Sequence, residues 1–480
     1  MRIVRFALFF SLLLHCVSLP ANKIVVVGAG LAGLTTAYRL QQLGYDVEVY
    51  EARCRPGGRV CTAYFDFFYE ELGGKNIQDG GDALNLRTLI REMGLSTQAY
   101  SLDVVSGVFL FNDQIYPIEK LITSGPKPTE ELHKALLEQS LTAQNLGELV
   151  EPLFQNNPAL GSLIRQNMRG YMGSSAYEVS AKYLDIGFWD FYKMIYDGAT
   201  DPSANRHFIM EDIVGGNSCL IEGLVKALKG HIHYTMPLRK ITFKDTLLLG
   251  FENVTEVSAD YLVLAIPAST LRDVVISDGL IPKEQLFAIH TQHYGTNAKI
   301  LLPIQKKTIR ANIYNCFEDL GIWLNKPYDV MTWYYGGTYG DFDCTSLPQV
   351  FNEDLDQLHQ ILPTVILNYR KPIMMKPEWM AHYQGPVGVS WVNEEFSKGS
   401  YSNLSPEQFD LFNEITFIGN EQVRSVYRPV HGIIFFAGEH TSIPAPSTME
   451  GAVESGEKAA RLLHASVIRF HNESKFAGAL

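Results

Sequence analysis

Residues 23–62, KIVVVGAGLAGLTTAYRLQQLGYDVEVYEARCRPGGRVCT, constrain this chain more than any other stretch. Ile24–Val27 is an unbroken β-branched run, as a parallel strand buried on both faces requires, and it stops at Gly28-Ala29-Gly30-Leu31-Ala32-Gly33. In that context GxGxxG gives each glycine its own task. Gly28 makes the tight turn, Gly30 lets a pyrophosphate approach the backbone, and Gly33 lets the next helix pack closely on its strand. That helix turns Leu34, Ala37, Tyr38 and Leu40 towards the sheet and ends near Gly44. A second strand over residues 46–50 closes on Glu51, placed to accept hydrogen bonds from a ribose 2′-OH. The unit is a nucleotide-binding β-α-β crossover, and by itself it does not choose between classes of dinucleotide.

The choice comes from Arg55-Pro56-Gly57-Gly58-Arg59-Val60-Cys61-Thr62, which fits RxGGRxxT. Its glycines free backbone N–H groups for a diphosphate, and Arg59 can neutralise that group in bidentate fashion. The pair of loops resembles the double fingerprint of the flavin-containing amine oxidases. Further matches span residues 24 to 460. They are the glycine turn at residues 69–78, the GG turn before a helix at 214–220, the buried strand 261–267, and GIIFFAGEHTS at 432–442 followed by STMEGAVESGEKAA at 447–460.

The resemblance implies an α/β chain with a Rossmann-like FAD-binding domain and an interleaved α+β substrate-binding domain. The expected FAD-binding segments are 21–81, 205–290 and 402–465; those of the substrate domain are 82–204 and 291–401. Cofactor contacts are expected at Gly28, Gly30, Ala32, Gly33, Glu51, Ala52, Arg53, Gly58, Arg59, Gly74, Leu238 (adenine edge), Trp391, Gly438, Glu439, Thr448 and Met449. The helix beginning at MEGA would aim its N-terminal dipole at the flavin pyrimidine. Lys299, a charge inside an apolar strand, aligns with the lysine that the family hangs over flavin N5 through a water. Without that alignment, such a lysine reads as an edge or snorkelling residue. Tyr401 would be one wall of an aromatic cage, with Tyr335 and Thr448 as further substrate contacts.

Three departures bear on chemistry. Ser400 stands where monoamine oxidases carry the cysteine bound to flavin, so noncovalent FAD is expected. Thr448 replaces the second cage aromatic. Asn76 occupies the position at which L-amino acid oxidases hold a substrate carboxylate with arginine. The implied reaction moves a hydride equivalent from the carbon beside a neutral amine to the flavin; the imine hydrolyses and O₂ is reduced to H₂O₂. Two other readings share the flavin motifs: a desaturase of the protoporphyrinogen-oxidase type, and an exported flavoprotein without turnover.

The remaining sequence bounds the setting. At 480 residues the chain exceeds one hydrophobic core, which favours two interlocking domains. A net charge of -12 with no basic run argues against nucleic acid and would draw cationic amines. Residues 82–201 read as mainly helical, with helices near residues 84–94, 130–145 and 176–196. There Trp189, Phe191, Tyr192 and Met194 are pocket candidates, although aromatics at helical spacing usually form core. Met1 to Pro20 has Arg2 and Arg5 ahead of an apolar run, the plan of an export signal too short for a permanent membrane span. Whether it is cleaved, retained or lipidated at Cys16 stays open, as does the oligomeric state. Without Cys16 five cysteines remain, an odd number that cannot all pair. The 13 histidines show no HExxH or clustered ligand spacing, so no metal centre is expected.

Overall fold

The computed structural model describes residues 22–65, 68–103, 105, 107–201, 207–252, 256–303, 316–317, 320–325, 330–342, 352, 355–356 and 387–477. The expected export signal and Cys344 lie outside them. Ile24–Val27 forms the centre of a five-stranded parallel sheet in the order Ile434–Phe436, Tyr261–Leu264, Ile24–Val27, Val47–Tyr50, Ile232–His233. Its continuous apolar run has a direct packing cause. Ile24 and Val26 enter one core with the helices Leu31–Gln42, Ser218–Ala227 and Met449–Ala477. Val25 and Val27 enter a second core, shared with the four-stranded sheet built on Leu238–Phe243. Both faces are covered, so neither parity tolerates a polar residue.

A second layer system holds the other half. Ala298–Pro303 is paired antiparallel with Val330–Tyr335 on one side and Val387–Ser390 on the other, within a five-stranded sheet. The helices Ile118–Thr123, Leu146–Phe154, Pro158–Met172 and Asp190–Thr200 bury a separate core. Trp189 and Tyr192 belong to that core and Phe191 and Met194 pack against it, so these aromatics serve packing.

The helical reading of residues 82–201 needs correction. Leu84–Glu92 and Glu130–Ser140 are helices, but Thr97–Asp103 is a strand paired antiparallel with His207–Ile213. Val108–Phe111 and Gln114–Pro117 form a hairpin. Asn112 and Asp113, both with positive φ (48° and 59°), make the two-residue turn that matches strand twist. The region 176–196 is helical only in part: a 3-10 turn and a π turn precede Asp190–Thr200. Cys61 and Cys219 carry free thiols. Among the described residues no helix is long and apolar enough to cross a membrane.

Candidate active site

Both glycine loops open onto one cleft at the carboxyl end of the parallel sheet. Gly28 has φ +106°, and a Cβ there would meet the Ala265 carbonyl at 2.6 Å; a Cβ on Gly33 would lie 1.9 Å from the Gly28 carbonyl. Close contact between turn and helix is therefore possible only with hydrogen at both positions. Above Gly30, by contrast, a Cβ would meet nothing within 4 Å, which leaves a backbone-lined cradle open for a phosphate group. The second loop reaches the first through Gly57 N–H donating to the Ala29 carbonyl at 2.8 Å.

Glu51 closes one end of the cleft. Its carboxylate accepts from the backbone N–H groups of Ala29 (2.7 Å) and Arg53 (2.9 Å), which holds the first loop against the second strand. Glu439 organises the other end, accepting from Arg59 (2.9 Å), the Ser402 hydroxyl (2.6 Å) and the Ser447 amide (2.9 Å). Burial pushes its carboxyl up, but Arg59 and these donors outweigh that and hold it below the usual range. Beside it, burial lowers the His440 imidazole to about 4, so the ring is neutral at physiological pH. Thr448 Oγ1 accepts from the Gly451 amide at 3.1 Å and thereby caps Met449–Ala477, whose N-terminus faces the cleft.

The antiparallel sheet touches this assembly through Lys299. Its Nζ donates to the carbonyls of Gly73 (2.7 Å) and Glu71 (3.2 Å), and it lies 5.6 Å from the Tyr334 ring centroid. Burial, reinforced by Lys75, lowers the amine to about 8, with Glu70 and Glu71 opposing. Burial also raises the neighbouring Glu71 carboxyl to about 7, although Thr62 and the Asn217 amide hydrogen-bond to it. Tyr401 lines the cleft with its hydroxyl tied to the carbonyls of Gly170 and Tyr171 (2.9 and 2.8 Å), and its phenol is held far above the usual range by burial.

Gly28, Gly30, Ala32, Glu51, Ala52, Arg53, Gly58, Arg59, Gly74, Leu238, Gly438, Glu439, Thr448, Met449 and Tyr401 all line this cleft. Four expected residues stand apart from its lining. Gly33 lies beneath the loop, as its contact with Gly28 requires. Lys299 is in the sheet beside the Gly73 turn. Trp391 is in a core with Leu72, Leu301 and Val389, its indole N–H directed to the Leu72 carbonyl at 3.3 Å. Tyr335 is 3 % exposed and packs edge-on against Phe342. Strand alternation explains the last case, because Lys299 pairs in register with Tyr334 and only Tyr334 shares its face. Arg53 reaches the cleft, yet its guanidinium pairs with Glu394 and with Ser397 Oγ (2.8 Å). Tyr334, Asn297 and Ser402 were not singled out by sequence reasoning. Ser400 Oγ donates to Asn297 Oδ1 at 2.7 Å, and Asn297 Nδ2 donates to the Tyr334 hydroxyl at 2.8 Å. No sequence signal points to Tyr334, whose face is set by the register of its strand against that of Lys299.

A parallel nucleotide-cradling sheet with two glycine loops, joined to an antiparallel substrate sheet, defines a two-domain α/β flavoprotein. The family model described as flavin containing amine oxidoreductase matches residues 31–464, and the chain belongs to that family. It is 24% identical over 481 residues to an L-amino-acid oxidase of Demansia vestigiata, covering 92% of this chain and 86% of that one. It is 26% identical over 478 residues to the lysine-specific histone demethylase 1 homolog 2 of Arabidopsis thaliana, covering 92% and 58%. Among solved structures, putrescine oxidase bound to putrescine superposes with a TM-score of 0.69 at 17% identity, covering 92% of this chain and 99% of that one. Cyclohexylamine oxidase from Brevibacterium oxydans gives 0.65 at 16%, covering 94% and 100%.

Proposed function

We propose that this chain is an exported, FAD-dependent oxidase of a primary or secondary amine, with the cofactor held noncovalently. The observation that carries the reading is one cleft running from Glu51 past both glycine loops to Ser400, Tyr401 and the capped helix at Thr448. FAD fits the donor set: open backbone at Gly30 and the Arg59 charge for the diphosphate, the Glu51 carboxylate for the ribose, and the Met449–Ala477 dipole for the pyrimidine. When bound, the flavin supplies the hydride acceptor and passes the electrons to O₂ as H₂O₂.

The chain's own residues supply orientation and a controlled environment. Tyr401, anchored by its hydroxyl, presents a fixed ring to an amine nitrogen. Neutral His440 and a protonated Tyr401 offer no strong base, which agrees with removal of hydride from an already neutral amine. Ser400 brings a hydroxyl, already engaged with Asn297, where attachment would need a thiol. The Asn76 amide donates to Asp79 and its carbonyl accepts from Tyr100, so no guanidinium awaits a carboxylate there. This supports amines without an α-carboxylate over L-amino acids. Arg2, Arg5 and the short apolar run that follows support export.

Peroxide release from the purified protein, measured across monoamines, diamines, polyamines and L-amino acids, tests the proposal. Turnover of at least one amine is expected. Bound flavin with no peroxide from any member of the panel would reject amine oxidation in favour of the desaturase or non-catalytic readings.

A further inference from the structure

Three metal-ligating side chains, Asp46, Glu48 and His231, converge at the edge of the parallel sheet outside the flavin cleft, and His233 lies against the second carboxylate oxygen of the same Glu48. Val49 pairs with Ile232 and Tyr50 with His233, so alternation directs Glu48 and Tyr50 to the face that carries His231 and His233. The stacked rings of Tyr50 and His233, 4.6 Å apart, mark that shared face. Glu48 lies between the imidazoles, with Oε1 3.0 Å from His231 Nδ1 and Oε2 2.6 Å from His233 Nε2. Asp46 Oδ1 stands 3.7 Å from the same His231 nitrogen. One ligand atom each from Asp46, Glu48 and His231 lies within 4.8 Å of the others.

We propose that Asp46, Glu48, His231 and His233 bind a divalent cation of the zinc type. Two imidazoles and two carboxylates suit that borderline metal better than Mg²⁺ or Ca²⁺, which prefer oxygen alone. Tetrahedral zinc with ligands at roughly 2.0–2.2 Å sets donor atoms about 3.3 Å apart. Within the triad the Glu48–His231 and Asp46–His231 separations of 3.0 and 3.7 Å already bracket that spacing, and His233, now on the other oxygen of Glu48, would swing in as the fourth ligand. Such movements are free to occur, since the side chains of Asp46, His231 and His233 are 82%, 37% and 45% exposed. The metal would take the place of the imidazole protons now directed at Glu48.

The consequence reaches the cofactor. Val49 N–H donates to the His231 carbonyl (2.9 Å) and Glu51 N–H to the His233 carbonyl (2.8 Å). A cation bridging these two strands would clamp the segment that presents Glu51 to the cleft.

The test uses EDTA-treated, flavin-loaded full-length protein titrated with Zn²⁺ against a chromophoric chelator, with the visible flavin spectrum reporting folding. The wild type should take up about one ion per chain at micromolar or lower free zinc, unaffected by excess Mg²⁺. Loss of an outer-shell partner alone costs about 10–100-fold in affinity, so His231→Gln and His233→Gln should each cost at least that, and the double variant should abolish uptake. Zinc should also raise the temperature of flavin release in the wild type and not in the double variant. Uptake only at millimolar zinc, or equal uptake by the folded double variant, overturns the site.

Discussion

The Nζ of Lys299 lies 2.7 Å from the carbonyl oxygen of Gly73, joining the antiparallel sheet to the turn beside the cleft. Lys299 also holds the Glu71 carbonyl, and Trp391 holds that of Leu72 between them. Three successive carbonyls are thus tied to Lys299 and to Trp391, which directly follows the strand Val387–Ser390. The lysine is both a structural rivet and a buried cation, and the two roles are separable by experiment.

Lys299→Met should retain flavin, because the ammonium touches backbone carbonyls and none of the phosphate loops. Stability should fall by about 1–3 kcal/mol through the carbonyls left without donors. Stopped-flow absorbance should show slower flavin reduction or slower reoxidation by O₂, since a buried positive charge favours developing superoxide. With the amine at about 8, its charge is lost as pH rises through that value. Wild-type reoxidation should therefore slow above about pH 8 while the variant stays flat. Rate constants and pH profiles equal to wild type would leave Lys299 a purely structural residue.

Glu71 gives a stability signature. Its carboxyl is raised from 4.5 to about 7 by burial, so across that window the folded chain keeps a proton that the unfolded chain has released. Stability falls as pH rises from about 4.5 to 7 and levels off above. Glu71→Gln keeps an acceptor oxygen for both the Asn217 amide and the Thr62 hydroxyl, and removes this dependence. The variant should gain on wild type at pH 8 relative to pH 5, by on the order of 3 kcal/mol at most. Parallel denaturation curves at both pH values would reject the assignment.

Acid or heat precipitation should release all flavin into the supernatant, given Ser400 in the cleft wall with its hydroxyl engaged by Asn297. Colour remaining on the washed pellet contradicts noncovalent binding.

Glu51→Ala should weaken FAD binding by roughly 1–3 kcal/mol, because the ribose acceptor and the restraint on the Ala29 and Arg53 amides disappear together. Equilibrium titration of the apoprotein decides this, and an unchanged affinity would remove Glu51 from the cofactor site.

Adjacent tyrosines should behave differently. Tyr334→Leu removes the ring beside Lys299 and should lower kcat/KM by roughly tenfold, about 1.4 kcal/mol. Tyr335→Leu removes a packed ring and should cost about 1–3 kcal/mol of stability with little change in kcat/KM. The reverse pattern would mean that the face assignment is wrong.

Much of the candidate cofactor cradle is local in sequence, and local features are legible. Turn sterics at Gly28, close packing at Gly33 and the carboxylate ending the second strand follow from spacing, because each requirement acts within one β-α-β unit. The double-faced burial of Ile24–Val27 follows likewise from its unbroken apolar run. Other assignments depended on partners distant in the chain. The guanidinium of Arg53 is taken by Glu394, 341 residues away, and Trp391 fills a core under Leu72. Tyr334, and not Tyr335, faces Lys299, because a register set by pairing decides parity and a shift of one residue reverses it. His231 and His233 meet Glu48 across 183 and 185 residues. Motif spacing carries backbone geometry over a few tens of residues; which side chains share a face or compensate a buried charge is decided only when separate strands are brought into register.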